Sequence, residues 1–187
     1  RVMDQFLNFA ALEEDFFSLM IQQSYRQLLD TKASDSTIEA LIESIVEGIF
    51  SAVVTLGVVP ILRYKADKGP AHQVAERLGR RLYDQLRAHP ALFVSGPSSG
   101  FQRPLLLIAE RAADLSVMVQ HAWSYGALCH DLLGLHFNRI TIEEEVEAGS
   151  GAKKLHTYNL NATDAFWTEH MGAVFQTVAD DVEKGIA

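Results

Sequence analysis

Pro104-Leu105-Leu106-Leu107-Ile108-Ala109 is an unbroken apolar run, with polar residues on both sides of it. A run this short, bounded by turn-forming residues, reads as a strand buried on both faces of a parallel sheet. Upstream, Ser95-Gly96-Pro97-Ser98-Ser99-Gly100 predicts a flexible loop. Before the loop, Ala71 to Ala88 carries Val74, Leu78, Leu82 and Leu86 at helical spacing. Earlier still, Val58-Val59-Pro60-Ile61-Leu62-Arg63-Tyr64 reads as a strand, its proline near the start where the missing N–H costs least. Strand, helix, strand in this order implies parallel pairing and an α/β sheet flanked by helices.

The pattern continues outward in both directions. Ile38, Leu41, Ile42, Ile45, Val46, Ile49, Phe50, Val53 and Val54 form one apolar stripe, with Glu39, Glu43 and Glu47 opposite. Ser36 followed by Glu39 is a capping box, and Gly57 a stop. Phe6 to Leu12 reads as a mostly buried strand, although periodicity alone does not separate it from a helix. Downstream, Asp114 is expected to cap a helix from Leu115 to Leu133, apolar on almost every side and therefore buried or between domains. Arg139 to Glu145 and Lys154 to Leu160 form the arms of a hairpin around Ala148-Gly149-Ser150-Gly151. Thr163 or Asp164 then caps a helix carrying Phe166, Trp167, His170, Val174 and Val178.

Composition narrows the function classes. The chain has 187 residues, 48% apolar and 21% charged, as in ordinary globular proteins. Its formal charge of −8 argues against nucleic acid as the main partner. Arg77, Arg80, Arg81 and Arg87 cluster on one predicted helix, more readily a solvated face than a seat for an acidic protein. A single cysteine, Cys129, excludes an internal disulfide and fits a reducing compartment. The most apolar stretch, Ile49 to Leu62, is too short to span a bilayer and is broken by Gly57 and Pro60. The first residue is Arg1 rather than methionine, so the chain reads as a piece of something longer.

No residue set makes a persuasive catalytic or metal site. Gly149-Ser150-Gly151-Ala152-Lys153-Lys154 lacks the second glycine and the Lys-Ser/Thr pair of a phosphate loop. His121 and His130 on one helix would project from opposite faces, so no metal site is expected. Cys129 and His130, as helix neighbours, diverge and form no nucleophile–base pair. Glu110, Arg111 and Asp114 do bunch at a strand end, where α/β enzymes place their sites. A helix cap at Asp114, paired with Arg111, explains the same residues without a substrate.

Gln102 to Leu115 resembles the signature of the SM family, an apolar strand ending in Asp-Arg-x-x-Asp. His121-Ala122-Trp123-Ser124-Tyr125-Gly126-Ala127-Leu128-Cys129-His130-Asp131-Leu132-Leu133 is similar to the family's His-x-Trp-Thr-Tyr-Gln-Ala-Leu-x-His-Asp-x-Leu, and His136-Phe137-Asn138-Arg139-Ile140 completes the match. Asp4 to Phe9 resembles the entry to the family's second domain. Val54 to Arg63, Tyr158-Asn159-Leu160 and Asp164-Ala165-Phe166-Trp167 resemble the Sly-type branch, which serves ER-to-Golgi traffic. Glu110, Met118 and Gly126 depart from the family's Asp, Pro and Gln.

The resemblance implies a non-enzymatic scaffold, without cofactor, that clasps syntaxin-type SNAREs and promotes their assembly in vesicle docking and fusion. It implies a cytoplasmic protein peripheral to ER and Golgi membranes, without a transmembrane segment. Residues 1–112 would be the first part of the α/β second domain. Residues 113–187 would be the connecting helix, the hairpin and the start of the third domain. Arg111, Asp114, His121, Trp123, Tyr125, His130, Asp131 and Arg139 would be structural signature or partner contacts. The competing readings are a doubly wound enzyme with a polar site at Glu110, Arg111 and Asp114, and a module that only spaces its neighbours. Trp123 separates two cases: a buried ring would be core, an exposed one a partner surface.

Overall fold

A computed structural model describes residues 4–93, 103–145 and 153–186. The loops expected at Ser95–Gly100 and Ala148–Gly151 lie outside these. The chain divides into two compact units, one of Arg1–Ala11 and Phe17–Asp114, the other of Leu12–Phe16 and Leu115–Ala187.

In the first unit, α1 (Ser24–Leu28) precedes α2 (Asp35–Leu56), β3 (Ile61–Tyr64), α3 (Pro70–Ala88) and β4 (Leu105–Ile108). Strands β3 and β4 pair in parallel, Ile61 beside Leu105 through Tyr64 beside Ile108, with α3 as the crossover. The two short strands β1 (Ala10–Ala11) and β2 (Phe17–Ser18) pair antiparallel, so only the end of the apolar segment from Phe6 is extended into a ladder. The stripe expected on α2 is the core: Ile42, Val46, Phe50 and Val53 pack with Val74, Leu78 and Leu82 of α3 and with Phe93. The cap of α2 sits two residues earlier than expected. Ser34, not Ser36, accepts the Thr37 N–H through its side chain. Gly57 ends the helix at φ 68°, left-handed backbone that glycine adopts without steric cost.

A second expectation for this unit also fails. Leu105 and Leu107 are 58% and 64% exposed, while Leu106 and Ile108 pack against the core. β4 is therefore buried on one face rather than two. Burial alternates along β3 in the same way. The leucine run said "strand" correctly, but composition cannot say how many faces are covered.

The arginine cluster of α3 is answered within the chain. Arg77 reaches Glu39 and Glu43, and Arg81 pairs with Glu43 and Glu47 while its guanidinium lies 4.7 Å from the centre of the Phe50 ring. Arg80 pairs with Glu76 on its own helix, and Arg87 with the Tyr83 hydroxyl. The acidic face of α2 is thus the partner of Arg77 and Arg81.

In the second unit, α4 (Tyr125–Leu133) is followed by the antiparallel hairpin β5 (Arg139–Glu145) and β6 (Lys153–Asn159), then α5 (Ala165–His170) and α6 (Phe175–Ile186). The hairpin falls where its arms were expected. Asp164 caps α5 by accepting the Trp167 N–H at 3.0 Å. Two helices differ from expectation. No α-helix starts at Asp114: Ser116–Val119 is a 3-10 turn, the chain then extends, and α4 begins only after Ser124. The last expected helix is broken at Met171–Val174, with Val174 bridging to Ser124. Cys129, Ile140, Leu160 and Trp167 form this unit's core.

Candidate functional site

The strand-end cluster resolves into a fold device. The α3 helix opens with Gly69 and Pro70, neither of which offers a side-chain cap. Glu110, arriving from the end of β4, supplies it: its Oε1 accepts the Ala71 N–H at 3.0 Å. A carboxylate there also opposes the positive end of the helix dipole. Gly69 leaves the room, since a Cβ at that position would collide with Glu110 Oε1. Asp67 completes the turn by accepting the Gly69 N–H at 3.1 Å, and Lys65 holds its carboxyl below the usual carboxylate range. Arg111 lies in an exposed 3-10 turn, and Asp114 ends that turn in extended backbone rather than starting an α-helix. Glu110→Ala is expected to cost about 0.5–2 kcal/mol, as loss of a helix cap does. Glu110→Gln, which keeps the accepting oxygen, is expected to be near neutral; thermal unfolding of the pair measures the difference.

The remaining signature residues gather in the second unit, by two different logics. Tyr125 is half-buried. Its ring lies 5.9 Å from Trp167 and 6.1 Å from Phe166, and its N–H donates to the Ala173 carbonyl. Burial pushes the Cys129 thiol up, an effect that a hydrogen bond with Tyr125 partly offsets. Cys129 is a packed thiol, and alkylation near neutral pH is expected to be slow until the unit is unfolded by denaturant, as mass spectrometry of the alkylated chain would show. Asp131 meets His121 at 3.1 Å, and His130 Nδ1 lies 3.2 Å from the Leu135 carbonyl oxygen. His121 stands before α4 rather than on it, so the opposite-faces geometry expected for the two histidines does not apply. Among the described residues no group of three or more His, Cys, Asp or Glu is placed to hold a metal. Arg139 donates from Nε to Asn159 Oδ1 at 3.0 Å, across the first pair of the hairpin. Trp123 differs from all of these: its side chain is 73% exposed.

Sequence reading missed Asn138. Its backbone sits at φ 57°, and its side chain donates to the Leu12 carbonyl and to Glu13 Oε1. Glu13 also accepts from Trp167 Nε1 at 3.4 Å, so Asn138 and Trp167 together anchor the short segment Leu12–Phe16 to this unit. The signal was present: among residues with side chains, asparagine is one of the few that tolerate left-handed backbone.

Solved structures share this fold. The SM protein Vps45 aligns over 96% of the chain with a TM-score of 0.68 and 21% identity, matching 32% of its own length. Unc18 in the Unc18–syntaxin 1 complex from Monosiga brevicollis aligns over 95%, with a TM-score of 0.71 and 21% identity, matching 30% of that chain. The fold is that of the SM proteins. In sequence, residues 1–187 match the Sec1 family throughout, and the chain belongs to that family. The SEC1 family transport protein SLY1 of Oryza sativa is 42% identical over 190 residues, all of this chain and 28% of the rice protein. The human Sec1 family domain-containing protein 1 is 39% identical over 201 residues, 98% of this chain and 31% of that protein. The chain therefore spans less than a third of the length of these relatives.

Among the described residues, no helix is long and apolar enough to cross a membrane.

Proposed function

We propose that this chain is part of a SNARE-binding scaffold of vesicle transport, acting in ER-to-Golgi traffic by binding rather than by catalysis. The observation that carries the reading is similarity to SLY1 proteins along the whole chain, 42% identical for the rice relative. Residues 1–112 then belong to the second domain of the parent protein and residues 113–187 begin its third. The mechanism is templating: a preorganised surface lowers the ordering cost that partner helices meet when they associate. Such a protein works from the cytoplasm at ER and Golgi membranes and needs no cofactor. The rival enzyme reading loses support from Glu110, whose carboxylate is engaged at the start of α3.

The test uses the full-length protein that contains this chain, immobilised and exposed to the cytosolic part of a Golgi syntaxin, alone and in its SNARE complex. Retention of either is expected; retention of neither would overturn the proposal.

A further inference from the structure

The hairpin of β5 and β6 is a two-stranded sheet, so each strand carries a row of backbone groups that its partner does not use. The register says which residues own those rows. In an antiparallel ladder, pairs that exchange both hydrogen bonds alternate with pairs whose N–H and C=O point outward. Leu160 donates its N–H to the Asn138 carbonyl at 2.7 Å, which makes Arg139 and Asn159 an outward-pointing pair. By alternation, Thr141 with Thr157 and Glu143 with Leu155 point outward as well. The side chains agree: the Thr141 and Thr157 hydroxyls meet at 3.2 Å, as the closer approach of such pairs allows.

The two edges are not equivalent. On β5 the first rung is already taken, since Arg139 donates to the His136 carbonyl at 3.0 Å and accepts from the His136 N–H at 2.9 Å. On β6 the outward groups of Leu155 and Thr157 make no backbone hydrogen bond with any described residue, and both residues are exposed. Residues 153–159 contain no proline, and their pairing with β5 is unbroken by a bulge. Two of the devices that blunt an open edge are therefore missing from this strand.

A row of alternating donors and acceptors fits one kind of occupant, the backbone of another extended chain. The side chains of β6 then set the sequence of that chain. Residues of an added strand lie opposite those of β6 and alternate between its two faces in the same way. Leu155, 66% exposed, and Thr157 share one face and ask for β-branched apolar residues opposite. Lys154 lies on the other face. Its cross-strand neighbour Glu144 accepts the Tyr158 hydroxyl at 2.6 Å, and no described residue forms an ion pair with Lys154. Charge complementarity places a carboxylate opposite it.

We propose that the outer edge of β6 takes up an extended segment of a partner protein as a third, antiparallel strand, with β-branched residues facing Leu155 and Thr157 and an acidic residue facing Lys154. This stands independently of the vesicle-transport reading. The probe is an end-capped, fluorescently labelled peptide that alternates threonine with valine and closes in glutamate at its carboxyl end. It is titrated by anisotropy with the full-length protein that contains this chain. Two twins carry N-methyl groups, one on the valine amides and one on the threonine amides.

The parent peptide is expected to bind. Valines opposite Leu155 and Thr157 turn their N–H groups toward β6, so methylating them should abolish binding, while methylated threonines face away and should bind nearly as before. Thr157→Pro removes an outward N–H without touching the β5–β6 bonds, and should weaken binding by about tenfold. Thr141→Pro makes the same change on the opposite edge and should leave it unchanged. Amide exchange of Leu155 and Thr157 should be fast in the free protein and slow in the complex. The proposal is overturned if the peptide fails to bind, if the two methylated twins bind alike, if Thr157→Pro binds as the parent does, or if Thr141→Pro weakens binding equally. Slow exchange of Leu155 and Thr157 in the free protein would also overturn it, because the edge would then be covered by the protein's own chain. Should Thr157→Pro fail to fold, the methylated twins decide the matter on the unaltered protein.

Discussion

Replacing Phe50 with alanine is expected to destabilise the first unit by about 3–5 kcal/mol, the usual cost of deleting a buried aromatic ring. Phe50 is 1% exposed at the centre of the α2–α3 core. Its ring also meets Phe6 edge-on at 5.9 Å and lies under the Arg81 guanidinium. Three losses therefore add. The cavity removes dispersion contacts with Val46, Leu78 and their neighbours. Arg81 loses the aromatic face beneath a charge already three-quarters buried, leaving Glu43 and Glu47 as its remaining partners. Phe6 loses its anchor on α2, so the segment before β1 loosens as well. Hydrogen exchange in the full-length protein gives the readout: amides of α2 and α3 should exchange far faster in Phe50→Ala, while those of α4 and the hairpin keep their protection. Leu56→Ala is the control, since Leu56 lies on the same helix with 71% exposure and should change little.

Phe50 also shows which parts of the fold were legible. Along α2 and α3 the apolar residues recur every three or four positions with acids and bases between them, so period, face and core could all be read together. Leu115 to Ser124 is less legible. Leu115, Val117, Met118, Val119 and Trp123 are apolar, and Ser116, Gln120 and Ser124 recur every four residues among them, so the stretch reads as part of a buried helix. Instead it forms a 3-10 turn and an extended stretch, with Val119 and Trp123 among the most exposed large side chains. The departure at Met118 held a clue, because a proline at that position in the resembling family is a poor fit to a helix interior. The role of Glu110 is hidden for a related reason. Glu110, Arg111 and Asp114 are adjacent in sequence, which suggests a joint role, yet Glu110 acts on α3, 39 residues earlier in the chain. A long-range cap of this kind leaves no local spacing to recognise.

Trp167→Ala is expected to have the largest effect in the second unit, again about 3–5 kcal/mol. Trp167 is 5% exposed and fills the centre of the Cys129, Ile140 and Leu160 cluster. Its indole N–H holds Glu13, and the same Glu13 oxygen accepts from Asn138. Truncation would thus open a cavity and also remove the Trp167 hydrogen bond that helps tie Leu12–Phe16 to this unit. Trp167→Phe fills most of the space but cannot donate to Glu13, so it should recover the larger part of the loss and leave roughly 1–2 kcal/mol. Denaturant unfolding of the full-length protein, monitored by the access of an alkylating reagent to Cys129, would follow this unit specifically. The thiol should become reactive at markedly lower denaturant in Trp167→Ala than in Trp167→Phe. Equal protection of Cys129 in the parent and in Trp167→Ala would mean that the indole is not what holds the cluster closed.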